Sequence, residues 1–385
     1  MRPLLICAVL VLAAVLYIFM MDRADVSKLH VPPGFHVTVF AETPSPRLLA
    51  FSSGGVLLAT SVSSGTVVAM PDPQHRGKAE RVVTVLRGLD VPHGIAFHNG
   101  ALYIAERRAL KRYEWDEVGL KASNPRQLAD LPDNIGGHAT RTIVFANGKL
   151  YVSAGSSCNI CTEDDPRRAA VMEFNEDGSG MRIFATGTRN AVGLAFSPRT
   201  GTVWGTENGR DHLGDDLPPE EVNDYGKAGG DFGFPYCYSL KGRPVPDVSF
   251  GGNDMRCAKT IPARVEILAH SAPLGLAFYA GTVFPDDYRG DLFVALHGSW
   301  NSSVLHGYKV VRIHFNDRGE PQGPEDFLSG FIQPGERRAL RYRGRPVGIA
   351  VGPDGFLYVS DDSANLVYRI TYSSRSRMSV DARRQ

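Results

Sequence analysis

Five short stretches of this chain carry side chains that could do chemistry. "DNIGGHATRTIVF" (Asp133 to Phe145) sets His138 and Arg141 between a glycine pair and a strand-like run. "GTRNAVGLAF" presents Arg189 and Asn190 ahead of a similar run. "TENGRDHLGDDLPPEEVN" gathers Glu207, Asn208, Asp215, Asp216, Glu220 and Glu221, oxygen ligands that suit a hard cation such as Ca2+. "HGYKVVRI" with Lys309 and "RYRGRPVGIA" with Arg343 and Arg345 complete the set. An imidazole accepts protons near neutral pH, and guanidinium groups favour anions. Taken singly, each has a bland explanation. A lone histidine is commonly a hydrogen-bonded structural residue, surface arginines pair with carboxylates for little energy, and an acidic loop is solvated.

A repeat supplies the reason to take them together. Related segments begin at "RLLAFSSGGVLLATSVSSG" (Arg47), "HGIAFHNGALYIAERR" (His93) and "RTIVFANGKLYVSAGSS" (Arg141). Others begin at "VGLAFSPRTGTVWGTENG" (Val192), "LGLAFYAGTVFPDDYRGDLFVALHGS" (Leu274) and "VGIAVGPDGFLYVSDDS" (Val347). Each has an apolar strand, a turn, a second alternating strand and a polar turn, and helix-length periodic segments are nearly absent. Short strands in repeated units, each too small to bury its own face, predict an all-β fold, a β-propeller; six copies predict six blades. A large sandwich or a pair of barrels does not account for the recurring pattern. Blades superpose radially, so residues leading into the first strand of different repeats converge at one end of the axis. His138, Arg189, Asn190 and Arg345 are therefore expected to ring one pocket, mostly cationic and suited to an anion. With calcium beside it, that pocket suits a polycarboxylate ligand. The Gly/Pro/Asp-rich insertion over residues 205–265 predicts an ordered loop over the channel mouth.

Composition fits this reading. The 385 residues suffice for a large single domain, and 43% hydrophobic with 22% charged residues is ordinary globular content that argues against disorder or coiled coil. With 41 glycines and 25 prolines, many short elements joined by turns are expected. A net charge of +1, with no long basic run before the last dozen residues, argues against a nucleic-acid partner. "PLLICAVLVLAAVLYIFMM" (Pro3 to Met21) is uncharged, long enough to cross a bilayer as a helix, and followed by no small-x-small cleavage site. The organisation expected is a signal anchor or signal peptide over 1–22, a linker over 23–30, the propeller over 31–373 and a basic tail over 374–385. The propeller would then be periplasmic or extracellular and held at the membrane by its N-terminal helix. After Cys7, an even set of cysteines in an exported chain reads as two disulfides. Cys158 with Cys161 and Cys237 with Cys257 is the natural pairing among three possible ones. A four-thiolate zinc site fits worse, because Cys237 and Cys257 are not close-set.

Together, "GGHATR", "GTRNAVGLAF", "TENG", "EEVN", "GGDFGFP", "GYKVVRI" and "GRPVGIAVGPDG" resemble the glucose/sorbosone dehydrogenase family, exported six-bladed propellers that use pyrroloquinoline quinone (PQQ) and calcium. The likeness runs from near Val31 to Tyr372, and "RN-x-x-GLAF" followed by "E-[NQ]-G" is its most specific part. "HGSWN" with "GYKVVRI" is similar to the sorbosone branch. The resemblance implies a PQQ- and calcium-dependent dehydrogenase of a sugar or sugar-derived alcohol or aldehyde. No haem attachment motif is present, so electrons would leave to a separate acceptor, a quinone or a cytochrome. The resemblance also implies His138 as general base, Arg189 and Asn190 at the quinone end, and Asn208 on the cofactor. By the same likeness the backbone carbonyls of Gly209 and Arg210 would ligate the cofactor calcium, and Glu221 a second, structural one. Lys309 would lie near the quinone, and Arg343 and Arg345 would pair with cofactor carboxylates. The chain departs from the soluble glucose enzymes at Arg210, where they have Pro, at Gly137, where they have an acid, and in "CNIC", which they lack. A calcium-dependent six-bladed lactonase would instead use an acidic channel cluster, and a non-catalytic propeller would bind a protein or glycan at an apolar rim.

Overall fold

Two Asn-Gly pairs show how the strands are made. Asn99–Gly100 and Asn147–Gly148 each place consecutive residues at positive φ, 47° and 73° in one and 51° and 69° in the other. That backbone matches the twist of a tight hairpin, and glycine adopts it without a Cβ penalty. The first turn joins Gly94–His98 to Ala101–Ala105 and the second joins Arg141–Ala146 to Lys149–Ala154. In the computed structural model, which describes residues 25–133, 136–226, 230–332 and 342–373, such hairpins repeat around a ring. The expected signal anchor and basic tail lie outside the described residues. Among the described residues no helix is long and apolar enough to cross a membrane.

The ring has six blades, each a four-stranded antiparallel sheet, and each of the six sequence repeats supplies the innermost strand of one. Blade 1 comprises Leu49–Phe51, Leu57–Ser61, Thr66–Met70 and Val83–Leu86, and blade 2 comprises Gly94–His98, Ala101–Ala105, Ala109–Asp116 and Lys121–Asp130. Blade 3 runs Arg141–Ala146, Lys149–Ala154, Ala170–Asn175 and Arg182–Thr186, with Gly230–Asp231 added in parallel at its edge. Blade 4 runs Leu194–Ser197, Thr202–Glu207, Glu220–Asp224 and Val265–Ile267. Blade 5 runs Pro273–Phe278, Leu292–Leu296, Lys309–Phe315 and Pro321–Leu328. Blade 6 takes Pro346–Val351, Leu357–Asp361 and Leu366–Tyr372 from the end of the propeller. Its outer strand, Phe35–Glu42, comes from the beginning, with Phe35 opposite Tyr372 and Glu42 opposite Leu366. Each innermost strand touches those of both neighbouring blades, so the ring closes on itself.

No blade could bury its faces alone, and the apolar residues accordingly lie between blades. Six clusters fill the six interfaces: Trp204 meets Phe278 and Phe315 between blades 4 and 5, for example, and Phe40 meets Tyr358 and Leu57 between blades 6 and 1. Val192, Leu274 and Val347 form a separate group at the beginnings of the innermost strands of blades 4, 5 and 6. Buried hydroxyls tie the blades together at the same level. Thr206 Oγ1 accepts from the Gly193 amide (2.9 Å) in its own blade and donates to the Leu274 carbonyl (2.7 Å) of the next. Thr60 makes the same double bond, to the Leu48 amide and the His93 carbonyl, and Ser360 to the Gly348 amide and the Arg47 carbonyl. Thr206→Val keeps the shape but leaves two buried backbone groups unpaired. It should cost about 1–3 kcal/mol in a urea-unfolding experiment, without altering the circular dichroism of the native state.

Candidate active site

The innermost strands all begin at one end of the ring, and the residues just before them line a cavity there. Arg47, His138, Arg189, Asn190, Ala272 and Arg345 come from these strand starts; Glu220 opens the third strand of blade 4, and Asn208, Gly209, Asp211, His270, His297 and Trp300 come from loops. The space, mouth included, is about 750 Å³, the size of a small-molecule site. The structure thus brings together His138, Arg189, Asn190, Asn208, Gly209 and Arg345 of the residues singled out from sequence.

His138 is held by the turn that follows the second strand of blade 3. Its backbone amide donates to the Ser156 carbonyl (3.0 Å), and its Nδ1 lies 3.1 Å from that carbonyl and 3.0 Å from Ser156 Oγ. Ser156 Oγ spends its own proton on the Cys158 carbonyl (2.7 Å), and a carbonyl can only accept. Nδ1 therefore carries the ring proton, which leaves Nε2 as the free base. Burial lowers the pKa to about 3, and the nearby Arg189 guanidinium pushes the same way, with Ser156 opposing. Two glycines make this fit possible. A Cβ on Gly155 would lie 2.6 Å from Asn190 Oδ1 and 2.7 Å from His138 Cβ. Gly137, at φ +70°, presses its backbone against Ser156 and Ser157, so the position where the glucose enzymes have an acid has no room for a side chain here. The loop is also clamped from below: buried Arg141 donates to the carbonyls of His138, Thr140 and Pro132.

Arg189 gives every one of its five N–H groups to protein oxygens. Nε donates to the Asn159 carbonyl (2.8 Å), and Nη1 to the carbonyls of Asn208 (3.0 Å) and Gly209 (2.7 Å). Nη2 donates to Asn159 Oδ1 (2.9 Å) and, at 3.4 Å, to Asp211. Arg189 therefore offers the cavity its charge and no hydrogen-bond donor. Asn208 donates to the Pro273 carbonyl (2.7 Å), and the Asn190 amide donates to Glu207 (2.7 Å). Arg345 differs. Its Nε and Nη2 bind the carbonyls of His297 and Gly298, and its guanidinium has no carboxylate partner among the described residues. Nη1 is left for an incoming anion. Gly344 before it is required because a Cβ there would collide with the Asp361 carboxylate, which anchors the Arg345 amide (2.8 Å).

Sequence reasoning passed over a third group on the same wall. Asp362 bridges Arg47 (2.7 Å) and His297 Nε2 (2.9 Å). Against the cost of its burial, the His297 hydrogen bond and the Arg47 guanidinium hold its carboxyl well below the usual range. Burial in turn lowers His297 to about 4, although Asp362 opposes it. Arg47 stands before the first repeat as Arg345 stands before the sixth, a signal that was available; His297 lies in a loop with no repeat equivalent.

Lys309 and Arg343 do not reach the cavity. Lys309 opens the third strand of blade 5 opposite Leu296, at the correct end, but turns outward to Asp326 on the fourth strand (2.6 Å). Arg343 lies two residues before Arg345, its amide bonded to the Phe331 carbonyl and its charge acting on Asp25. Arg210 points to Asp247 and Ser249 (both 3.0 Å) and, with Glu207, Glu221 and Phe232, lines a second pocket adjoining Gly209. Glu221 accepts from the Ser239 amide (2.9 Å) and from Asn223 (3.0 Å), and Glu220 binds the Gly209 amide (2.7 Å). Burial raises all three acids, Glu220 to about 7, Glu221 less and Glu207 strongly, and Glu207 Oε2 is buried with no partner among the described residues. Among the described residues, the one group of three side chains close enough to share a metal is Cys158, Cys161 and Glu163. Its sulfurs are joined in a disulfide, as are those of Cys237 and Cys257.

Fold and site together define a six-bladed propeller with a guanidinium-lined cavity and a neutral imidazole at one end of its axis. The chain belongs to the TrAA12-like family, whose pattern matches residues 29–373. It is 31% identical to an uncharacterized protein of Borreliella burgdorferi, over 90% of this chain and 91% of that one. It is 24% identical to a pyrroloquinoline quinone-dependent sugar dehydrogenase of Hypocrea jecorina, over 86% of each. The calcium structure of the Trichoderma reesei family AA12 enzyme superposes with a TM-score of 0.79 at 22% identity, covering 90% of this chain and 97% of that chain. The sugar-dehydrogenase resemblance carried by the sequence motifs stands.

The His138 and His297 imidazoles are neutral in the fold until the pH approaches 3 to 4, whereas an unfolded chain protonates histidine near 6.5. The unfolded state then binds more protons below 6.5, so the propeller loses stability as pH falls through that window and gains nothing above it. An NMR titration should find the His138 and His297 rings neutral down to about pH 5, with the urea midpoint falling over the same range.

Proposed function

We propose that this protein is a PQQ-dependent dehydrogenase of a sugar or sugar-derived alcohol or aldehyde, assisted by calcium. The observation that carries the reading is Arg345, a guanidinium without a carboxylate partner among the described residues, sharing one cavity with the neutral base His138. The name of the Hypocrea relative supports both the cofactor and the substrate class.

The lining fits a polycarboxylate. Among the described residues Arg345 has Nη1 to give, and Arg189 adds a charge whose one carboxylate contact, to Asp211, is long at 3.4 Å. Asn190 and Asn208 add amide groups beside them. PQQ supplies, when bound, the acceptor for the hydride that the substrate carbon gives up. The protein's part is to hold and to move a proton. His138 Nε2 takes the proton of the substrate hydroxyl as the carbon loses its hydride, while Ser156 keeps Nδ1 protonated and the ring fixed in orientation. Glu207 Oε2, buried and unpaired beside Glu221, suits a hard divalent cation, and Ca2+ would remove the cost of burying these acids. Lys309 is assigned no role in this reading, since its ammonium lies 2.6 Å from Asp326 and does not line the cavity. Two disulfides suit an exported protein, in keeping with a periplasmic or extracellular site and an N-terminal anchor. Electrons leave to a separate acceptor.

His138→Ala should lower sugar-dependent dye reduction by about 10² to 10⁴-fold while PQQ binding, followed by absorbance, persists. Near-normal dye reduction by the variant would rule out the base. Chelation should give an inactive protein restored by Ca2+ with PQQ, and full activity after complete removal of divalent cations would rule out the calcium.

A further inference from the structure

The turn closed by Cys158–Cys161 touches the cavity wall at more points than a surface staple needs. Asn159, between the two cysteines, makes a four-bond connection across blades. Its carbonyl accepts Arg189 Nε (2.8 Å), and its Oδ1 accepts both Arg189 Nη2 (2.9 Å) and the Asp211 amide (2.8 Å). Its Nδ2 donates to the Asp211 carbonyl (3.2 Å). The side chain thus pairs both backbone groups of Asp211 and one edge of the guanidinium. On the other side of the same turn, the Cys158 carbonyl takes the Ser156 hydroxyl proton, which fixes the donor at His138 Nδ1. No strand of blade 3 reaches Arg189, which precedes blade 4; this turn does.

We infer that Asn159, held by the Cys158–Cys161 bridge, is a positioning residue that locks Arg189 and the Asn208–Asp211 segment into the geometry that receives an anion. It acts through Arg189 and need not touch the ligand. The inference is stated for the anion site proposed above, but the locking itself can be read without a cofactor. Three of the four bonds are made by the side chain and vanish in Asn159→Ala; the fourth depends on the backbone that the disulfide holds. Asn159→Asp keeps both acceptor oxygens for Arg189 and the Asp211 amide. It loses the donor and sets a negative charge against the guanidinium, which separates geometry from charge.

Two readouts on the full chain test this. The first is modification of Arg189 by phenylglyoxal, followed by peptide mass spectrometry on protein without added PQQ. The second is the Kd for PQQ in the presence of Ca2+, read by absorbance. Wild-type Arg189 should resist modification. Asn159→Ala should expose it and weaken PQQ about tenfold to a hundredfold, as expected when three bonds that hold Arg189 and Asp211 in place are lost, with the native circular dichroism retained. Asn159→Asp should keep Arg189 protected yet still weaken PQQ, because the charge offered to the anion is reduced. The double variant Cys158→Ser with Cys161→Ser should expose Arg189 more than wild type and less than Asn159→Ala. If Arg189 is equally protected in wild type and Asn159→Ala, the inference is overturned. Wild-type protection in the double cysteine variant would overturn the share given to the disulfide. If labelling follows the expected order but no form binds PQQ, the positioning role stands and the cofactor reading falls.

Discussion

Burying a guanidinium obliges the chain to find an oxygen for each of its N–H groups, and much of the site follows from meeting that demand at Arg189. The carbonyls of Asn159, Asn208 and Gly209 turn inward to it, which sets the path of two loops from different blades. The same charge, placed beside His138, adds to desolvation in keeping that ring unprotonated. One residue therefore serves two opposed needs, making the cavity attractive to an anion and leaving a neutral base next to it. Neither function requires Arg189 to donate a hydrogen bond to anything that enters.

The polar walls divide by sign. Toward blades 6 and 1 lie Arg345 and the Arg47–Asp362–His297 chain; toward blade 4 lie the buried acids Glu207, Glu220 and Glu221 behind Gly209. The seam between them is the Asn208–Asp211 segment, whose carbonyls face Arg189 while the Gly209 amide faces Glu220. Polarity alternates along three residues of backbone, so small shifts there would mispair both sides at once. Gly209 has no Cβ to place, and one would come within 2.8 Å of the Pro218 ring, which keeps the segment flush against the acidic wall.

The blades were legible because their signal is local. Alternating apolar residues with Asn-Gly turns recur six times, and the sequence repeats coincide with the innermost strands. The site was legible where a residue sits at the start of such a strand, as His138, Arg189, Asn190 and Arg345 do. It was not legible where position in the repeat fixes the end of a blade but not the direction of a side chain. Lys309 and Arg343 begin at the proper end and point away, drawn to Asp326 or placed near Asp25. Nor could spacing identify His297, His270 and Asp211, which come from loops whose path is set by the oxygens they satisfy. The glycines are the same case: Gly137, Gly155 and Gly344 look like turn residues in the sequence, and only the close approach of Ser157, His138 and Asp361 explains them.

The strand Phe35–Glu42 gives the propeller an order of assembly. It is made first, yet its partner Leu366–Tyr372 is made last, so during synthesis it waits unpaired while five blades take shape. The blade it completes is also the one that brings Arg345 and Asp362 to the axis. The ring seals and the cavity gains its last guanidinium from the same stretch of chain. A partly made or C-terminally shortened protein has blades but lacks the wall that Arg345 and Asp362 contribute, so the cavity is complete only in the finished molecule.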